Sequence, residues 1–233
     1  FCRQRQVPCK IFHCQAAEYA KAHKMTVEEG ARKLRYHFFE EAAKEFGADK
    51  IAVAHNQNDC AETMLFHLAR GTGLKGMGGI QPVRGSIIRP LLCVERKEIE
   101  HYLALRNQEF CQDKTNEELN YTRNKIRWKV LPPLEEINSQ AVFHINQAAL
   151  LAAEEAELME DLTRRAKEKY VFLDSFGTHI SRKILEEKPV IQKSLLHKIL
   201  TETAGNSRDI SGVHVQQLLQ LFHRQTGRMI QFP

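Results

Sequence analysis

The stretch IAVAHNQNDCAETMLFHLAR at residues 51–70 decides the predicted fold. Its first four residues are small and apolar, which is typical of a parallel strand buried on both faces. From Asp59 onward the apolar residues recur with helical spacing as far as Gly71, at Ala61, Met64, Leu65, Leu68 and Ala69. The stretch therefore predicts a strand, a tight loop and a helix.

Strand and helix patterns alternate on both sides of this unit. Upstream, residues 9–14 predict a strand, and the helix after them begins with the capping pattern of Thr26 and Glu29 and ends at Gly47. Downstream, residues 86–92 predict another strand, followed by a helix over 95–106. This alternation predicts an α/β fold with a mostly parallel sheet and helices on its faces.

After Pro132 and Pro133 the patterns are helical only. A long helix is predicted over 140–170, and two more over 189–203 and 213–224, the second of the three starting at Pro189 and stopping before Gly205. We therefore predict a partial α/β domain over residues 1–134 and a helical domain over 135–233.

Composition narrows the class of protein. The 233 residues are 42% hydrophobic and 27% charged, which is ordinary for a globular protein, and 34 basic against 29 acidic residues permit a polyanionic partner. No apolar run approaches the ~18 residues that a membrane span needs, so we expect a cytoplasmic protein without a membrane partner. The six cysteines lack the paired spacing of a metal or cluster site, so we expect reduced thiols and no bound metal.

The first candidate site follows the predicted strand of residues 51–54. His55, Asp59 and Glu62 lie at its carboxyl end, where ligands bind in open α/β sheets. Asp59 and Glu62 are three residues apart on a helix, so they share a face and could hold one ammonium group between them. The alternative is that both acids only stabilise the positive end of the helix.

Two groups of cations are candidates for binding phosphate. Arg32 and Arg35 lie one helical turn apart and could hold a polyphosphate, or could pair with neighbouring glutamates. The second group combines four cations in seven residues with aromatic side chains, as single-stranded RNA recognition does: Tyr121, Arg123, Lys125, Arg127, Trp128 and Lys129. A solvated helix face is the alternative for this group.

Taken in order along residues 1–134, these residues resemble the tRNA(Ile)-lysidine synthetases, a family within the N-type ATP pyrophosphatase, or PP-loop, group. The run from His55 to Thr63 resembles the family's signature of a histidine, two acids and Glu-Thr. The rest of the resemblance is carried by Glu28, Glu29, Ala31, Arg32, Arg35, Tyr36, Arg70, Gly71, Gly73, Leu74, Gly76, Arg89, Pro90, Leu91, Leu92, Asp113, Thr115, Asn116, Tyr121, Arg123, Asn124, Ile126, Arg127, Leu131 and Pro132.

The resemblance implies a Rossmann-like sheet and an ATP-dependent ligase. Such an enzyme adenylates C2 of the wobble cytidine (C34) of a tRNA(Ile) with a CAU anticodon, and L-lysine then displaces AMP to give lysidine. ATP with Mg²⁺ is the implied cofactor, tRNA(Ile) and L-lysine are the implied partners, and a homodimer is allowed.

The resemblance also implies roles for individual residues. His55 and Asp59 are implied as catalytic, Asp59 and Glu62 as ligands of the lysine ammonium, and Arg32 as a ligand of the ATP phosphates. The tRNA contacts are implied for the cationic segment, at Arg123, Lys125, Arg127, Trp128 and Lys129.

Three departures from the family pattern matter. Asn58 stands where the family has the first acid of its pair, and Cys60 replaces a common glutamine. The Ser-Gly-Gly-x-Asp-Ser loop that cradles ATP phosphates does not occur in the 233 residues. We therefore expect this chain alone to be an inactive fragment, and the loop to lie upstream of Phe1 in the intact protein.

Two other functions fit parts of the sequence. A tRNA-thiolating enzyme of the same group would usually use paired cysteines, which this chain lacks. A non-catalytic RNA-binding module could keep the fold without the ATP loop.

Overall fold

The computed structural model describes residues 1–111, 122–205, 210–224, 227 and 229–232. The chain forms two compact units, one of residues 1–66 with 80–143 and the other of residues 67–79 with 144–233. The predicted division into domains at residue 135 stays a prediction.

The first unit is built around a small sheet. Its strands are β1 (Ile51–Ala52), β2 (Val83–Arg84) and β3 (Ile87–Ile88), in the order β1-β3-β2. β1 and β3 are parallel, with Ile51 opposite Ile87, and β2 and β3 are antiparallel. The α/β class is confirmed, and the sheet is mixed because β2, which the sequence pattern did not reveal, turns back on β3.

The prediction that the first of these strands is buried on both faces is wrong. Ala52 and Ala54 are exposed, whereas Ile51 and Val53 are half-buried. A methyl side chain has little apolar area to remove from water, so an alanine-rich run does not require two covered faces.

Two helices precede the sheet. They are α1 (Ala16–Ala22) and α2 (Val27–Phe46). The Thr26 hydroxyl accepts a hydrogen bond from the backbone N–H of Glu29 at 3.2 Å, and Gly47 ends α2 in the left-handed region at φ 62°, as predicted. The helices approach closely at Gly30, where an added Cβ would lie 3.0 Å from the Cβ of Ala20.

The strand predicted over residues 9–14 is also wrong. These residues pair with no strand in the described part of the chain, and most of them are exposed. Phe12 instead stacks on Phe38 of α2, with ring centroids 4.7 Å apart. An apolar run becomes a strand only where another strand supplies its hydrogen bonds, and here a helix face receives the aromatic side chain.

Helices complete the first unit. Helix α3 (Gln57–Arg70) begins in this unit. The single turn α4 (Leu74–Met77) belongs to the other unit and lies within residues 71–79, five of which are glycines. A short 3₁₀ helix (Pro90–Cys93) follows β3, and then come α5 (Arg96–Leu105), α6 (Thr122–Lys129) and α7 (Leu131–Ile137).

The second unit is mostly helical. It contains most of α8 (Ala141–Tyr170), together with α9 (Pro189–Ala204) and α10 (Gly212–Leu221). Pro189 lies in the first turn of α9 and Gly205 ends it at φ 70°, as predicted. None of the helices in the described ranges is both long and apolar enough to cross a membrane.

A β-hairpin corrects the prediction that only helices follow Pro133. Its strands are β4 (Val171–Asp174) and β5 (Gly177–Ile180), and a 3₁₀ helix (Arg182–Glu186) leads from it to α9. Val171 and Ile180 pack against the core, while Phe172 and Leu173 are exposed. Only one residue pair of the hairpin faces the core, so the apolar alternation that signals a strand is weak.

The core of the second unit is centred on α9. Leu195 is fully buried in a cluster to which Ala166, Tyr170, Ile184 and Ile199 contribute. Its neighbour Leu196 is equally buried in a second cluster, with residues of α10.

We expect Leu195→Ala to destabilise the protein by about 2–5 kcal/mol, because it leaves a cavity in a filled core. Leu158→Ala on α8 is the matched control, since Leu158 is 61% exposed and its truncation should cost less than about 0.5 kcal/mol. Urea denaturation followed by circular dichroism measures both. Equal losses in the two variants would contradict the packing described for α9.

Candidate active site

Two side chains meet where the parallel strands β1 and β3 end. Arg89 directly follows β3, and His55 lies three residues beyond β1. The Nε of Arg89 donates a hydrogen bond to Nδ1 of His55 at 3.2 Å, and Nη1 of Arg89 donates to the carbonyl oxygen of Gln81 at 2.6 Å. The Arg89 side chain is thus buried and held from two sides at the sheet end where α/β proteins bind ligands.

A reciprocal cap fixes Asp59 at the start of α3. The backbone N–H of Asp59 donates to Oδ1 of Asn56 at 3.1 Å, and the backbone N–H of Asn56 donates to Oδ2 of Asp59 at 2.9 Å. One carboxylate oxygen of Asp59 is therefore engaged in capping. The spacing Asn-x-x-Asp could have revealed this cap in the sequence.

Asn58, which replaces an acid of the family pattern, joins α3 to α5. Its Oδ1 accepts a hydrogen bond from the backbone N–H of Arg96 at 2.9 Å. An amide oxygen serves this contact without adding a negative charge.

Glu62 is buried and paired with Arg127 of α6. The Glu62 side chain is 1% exposed, and its two oxygens accept hydrogen bonds from Nε and Nη2 of Arg127 at 2.6 and 3.0 Å. The same Nη2 lies 3.5 Å from Oδ1 of Asp59. A guanidinium thus occupies the position between the two acids that the sequence predicts for an ammonium group.

Helix α6 has two faces with different neighbours. Arg127 points toward the acids of α3, and Nη2 of Arg123 donates to the hydroxyl of Thr63 at 2.7 Å. Lys125, Trp128 and Lys129 are exposed and share the other face, at the spacing i, i+3 and i+4. The four cations of this segment therefore do not form one surface, because two of them turn inward.

Burial and charge set the protonation of the site. Burial lowers the pKa of His55; Asp59 opposes this shift, and the charges of Arg89, Arg123 and Arg32 add to it. Burial raises the pKa of Glu62, and the hydrogen bonds and charge of Arg127 partly offset that rise. Burial also raises the pKa of the Cys60 thiol, whose Sγ accepts from the backbone N–H of Ile80 at 3.4 Å.

Arg32 lies on α2 beside a cleft of about 470 Å³. The guanidinium carbons of Arg32 and Arg84 each lie 5.6 Å from the centroid of the Tyr36 ring. Both arginines are exposed, and the charge of Arg32 reaches His55, so this side of the site favours an anion.

The structure brings together five of the predicted site residues: His55, Asp59, Glu62, Arg123 and Arg127. Asp113, Thr115, Asn116 and Tyr121 lie outside the described residues. The sequence motifs did not reveal two direct contacts in this cluster. Arg89 is the partner of His55, and Asn56 is the partner of Asp59. In the part of the chain that the structure describes, no three His, Cys, Asp or Glu side chains are grouped to hold a metal ion.

These features define an α/β protein with a cluster of polar side chains, a candidate site, at the carboxyl end of its parallel strands. The model of the PP-loop domain matches residues 1–134, and the chain belongs to this family. The resemblance to the PP-loop group seen in the sequence is thereby confirmed.

The chain is also similar to several curated proteins named tRNA(Ile)-lysidine synthase. One from Clostridium perfringens is 33% identical over 231 residues, which are 98% of this chain and 49% of that protein. One from Caldanaerobacter subterraneus is 36% identical over 234 residues, 100% of this chain and 50% of that protein. One from Thermosipho africanus is 53% identical over 132 residues, 57% of this chain and 31% of that protein. The chain spans about half the length of the first two relatives.

We expect Glu62→Gln to destabilise the protein by about 3 kcal/mol, because it leaves the half-buried Arg127 without its main counter-charge. Glu100→Gln is the matched control: Glu100 pairs with Arg96, their side chains are 44% and 40% exposed, and the loss of this more solvated pair should cost at most about 1 kcal/mol. Denaturant titration of both variants gives the comparison.

A double variant, Glu62→Gln with Arg127→Gln, should recover part of the loss, since it removes both charges together. If the double variant is as unstable as the sum of the single variants, the two residues are not an ion pair in solution.

Proposed function

We propose that this chain carries part of the active site of a tRNA-modifying ligase, which joins L-lysine to C2 of the wobble cytidine (C34) in a tRNA(Ile) with a CAU anticodon. The C2 carbonyl oxygen attacks the α-phosphate of ATP and releases diphosphate. The amine of lysine that Asp59 does not hold loses a proton to water and attacks C2, the bond from C2 to the AMP oxygen breaks, and lysidine and AMP are the products. The PP-loop match and the names of the relatives support ATP use and tRNA modification.

The observation that carries the lysine part of the proposal is the position of Asp59. Its carboxylate is 21% exposed and lies in the same cluster as His55. Among the described residues, Nη2 of Arg127 approaches Oδ1 of Asp59 at a long 3.5 Å, whereas Oδ2 caps α3. We therefore assign the lysine ammonium to Oδ1 of Asp59.

The sequence predicted that Glu62 binds the lysine ammonium directly, together with Asp59. We now propose that Glu62 acts mainly by holding Arg127. Both of its oxygens are bound by Arg127, so it joins Asp59 on the ammonium only when the guanidinium withdraws. In the arrangement described, Glu62 holds Arg127, and Arg127 screens Asp59.

ATP fits the basic side of the site. We propose Arg32 as a ligand of its phosphates, because the exposed guanidinium adds positive charge near His55. Bound ATP would supply the electrophilic phosphorus. Mg²⁺ would come with the ATP phosphates, and we assign no side chain of the described residues to it.

We propose that tRNA contacts the outward face of α6. Lys125 and Lys129 supply charge there, and Trp128, which is 51% exposed, offers a surface for a base to stack on. Arg123 and Arg127 were predicted to contact tRNA as well. Contact by Arg127 would break its pair with Glu62, so we restrict the RNA surface to the outward residues.

The same outward face supports the alternative of a non-catalytic RNA-binding module. The two functions are separated by incubating the protein that includes a Ser-Gly-Gly-x-Asp-Ser loop with ATP, L-lysine and tRNA(Ile), followed by mass analysis of C34. A lysine adduct supports the ligase. RNA binding without an adduct supports the module.

We expect Asp59→Asn to weaken the use of lysine by at least about tenfold while changing tRNA affinity little, because losing a charge-assisted contact costs roughly 1.5–3 kcal/mol. The asparagine keeps an oxygen that can cap α3. Asp49→Asn, an exposed change just before β1, is the control. Equal losses of lysine use and tRNA affinity would count against the assignment.

We expect Lys125→Gln and Lys129→Gln each to reduce the slope of log affinity against log salt by about 0.7 on an unpaired RNA loop. The reason is that each exposed ammonium releases condensed counterions when it contacts a phosphate. Lys44→Gln, at an exposed position of α2, should leave the slope unchanged. Filter binding at several salt concentrations measures the slope, and an unaltered slope in all three variants would remove this face from the RNA surface.

A further inference from the structure

Arg89 and His55 are brought together by the pairing of β1 with β3. Ala52 lies opposite Ile88 in the parallel register, and the backbone N–H of Val53 donates to the carbonyl oxygen of Ile88 at 2.9 Å. Arg89 is the residue that directly follows Ile88 and β3. The Arg89 side chain therefore extends from the same end of the sheet as the loop that carries His55.

The Arg89 side chain has little freedom to turn away. It is 6% exposed, its own backbone N–H donates to the carbonyl oxygen of Pro82 at 2.9 Å, and its Nη1 holds the carbonyl oxygen of Gln81. These contacts direct Nε at Nδ1 of His55, at 3.2 Å.

A guanidinium has donors only, so its partner nitrogen must accept. Nδ1 of His55 therefore carries no hydrogen, and in the neutral ring the hydrogen lies on Nε2. We infer that Arg89 is a positioning residue that holds His55 in the neutral Nε2–H form, so that His55 offers a hydrogen-bond donor to the substrate and does not accept a proton at Nδ1.

The charged groups around His55 agree with this form. Asp59 of α3 is the acid that faces it, and it favours the charged ring. Burial, Arg89, Arg123 of α6 and Arg32 of α2 all favour the neutral ring, and the net effect is a lowered pKa.

This inference rests on the proposed function for its meaning in catalysis. In that reaction the Nε2–H of His55 would donate to an oxygen, either of a nucleotide phosphate or of a base carbonyl, and the histidine would stay neutral. Arg89 would act only through His55, without touching the substrate.

The test is the state of the imidazole nitrogens in the 233-residue chain, measured by long-range ¹H–¹⁵N NMR with ¹⁵N-labelled histidine. The chain has 11 histidines, and His55→Gln identifies the signal of His55 by its loss. We expect Nε2 to be protonated and Nδ1 to be unprotonated near pH 8. We also expect the His55 pKa to lie below the ordinary value of a histidine, because burial disfavours the charged ring.

Three variants separate positioning from general structural support. Arg89→Met should raise the pKa of His55 and allow both tautomers, because the fixed donor and its charge are gone. Arg89→Lys should retain part of the preference, since an ammonium also donates. Arg123→Gln should raise the pKa as well but keep the Nε2–H form, because Arg123 acts on His55 through charge only.

A wild-type His55 with its hydrogen on Nδ1 would overturn the inference, as would an Arg89→Met variant with unchanged tautomer and pKa. If Arg89→Met does not fold, the wild-type tautomer and the Arg89→Lys titration decide the question. The NMR measurement needs neither ATP nor tRNA. An unexpected tautomer would therefore not contradict the proposed lysine transfer, and absence of a lysine adduct would not contradict the inferred tautomer.

Discussion

The ion pair between Glu62 and Arg127 is the contact on which the arrangement of the first unit depends. It joins α3 to α6 across 65 positions of sequence, and the carboxylate is almost completely buried. A buried charge is tolerated only with a close partner, so α6 must present Arg127 toward α3 in every folded molecule. That orientation also determines which residues of α6 remain outside. The inner pair and the outward position of the face that we propose for RNA are therefore consequences of one constraint.

The same pair sets the charge of the site. Three guanidiniums, of Arg89, Arg123 and Arg127, lie close to two carboxylates, of Asp59 and Glu62. Such a balance attracts phosphate more readily than it attracts an ammonium group. In our proposal, lysine is therefore selected by the local field at Asp59, and the energy of moving Arg127 is part of lysine binding. The excess of positive charge at the site therefore favours binding of a nucleotide over binding of lysine.

Local signals in the sequence predicted the parts of the fold that depend on neighbouring residues. Thr26 marks a helix start by its capping hydroxyl, Gly205 marks a helix end by its left-handed backbone, and α8 follows from a long helical repeat. The errors concern contacts with distant residues. Residues 9–14 lack a partner strand among the described residues, and the β4–β5 hairpin turns only one pair inward. Likewise the spacing of Asp59 and Glu62 gave their shared face, but nothing local shows that a guanidinium 65 positions away lies between them.

Register is the other nonlocal feature, and it explains how such short strands can determine chemistry. β1 and β3 are two residues long, yet they are hydrogen-bonded in a single parallel register. A shift of one residue would turn Arg89 to the opposite face of the sheet and leave His55 without its donor. Ile87, which is buried, resists that shift because it would be exposed to water by the same movement. Burial of Ile87 thus supports the single tautomer that we infer for His55.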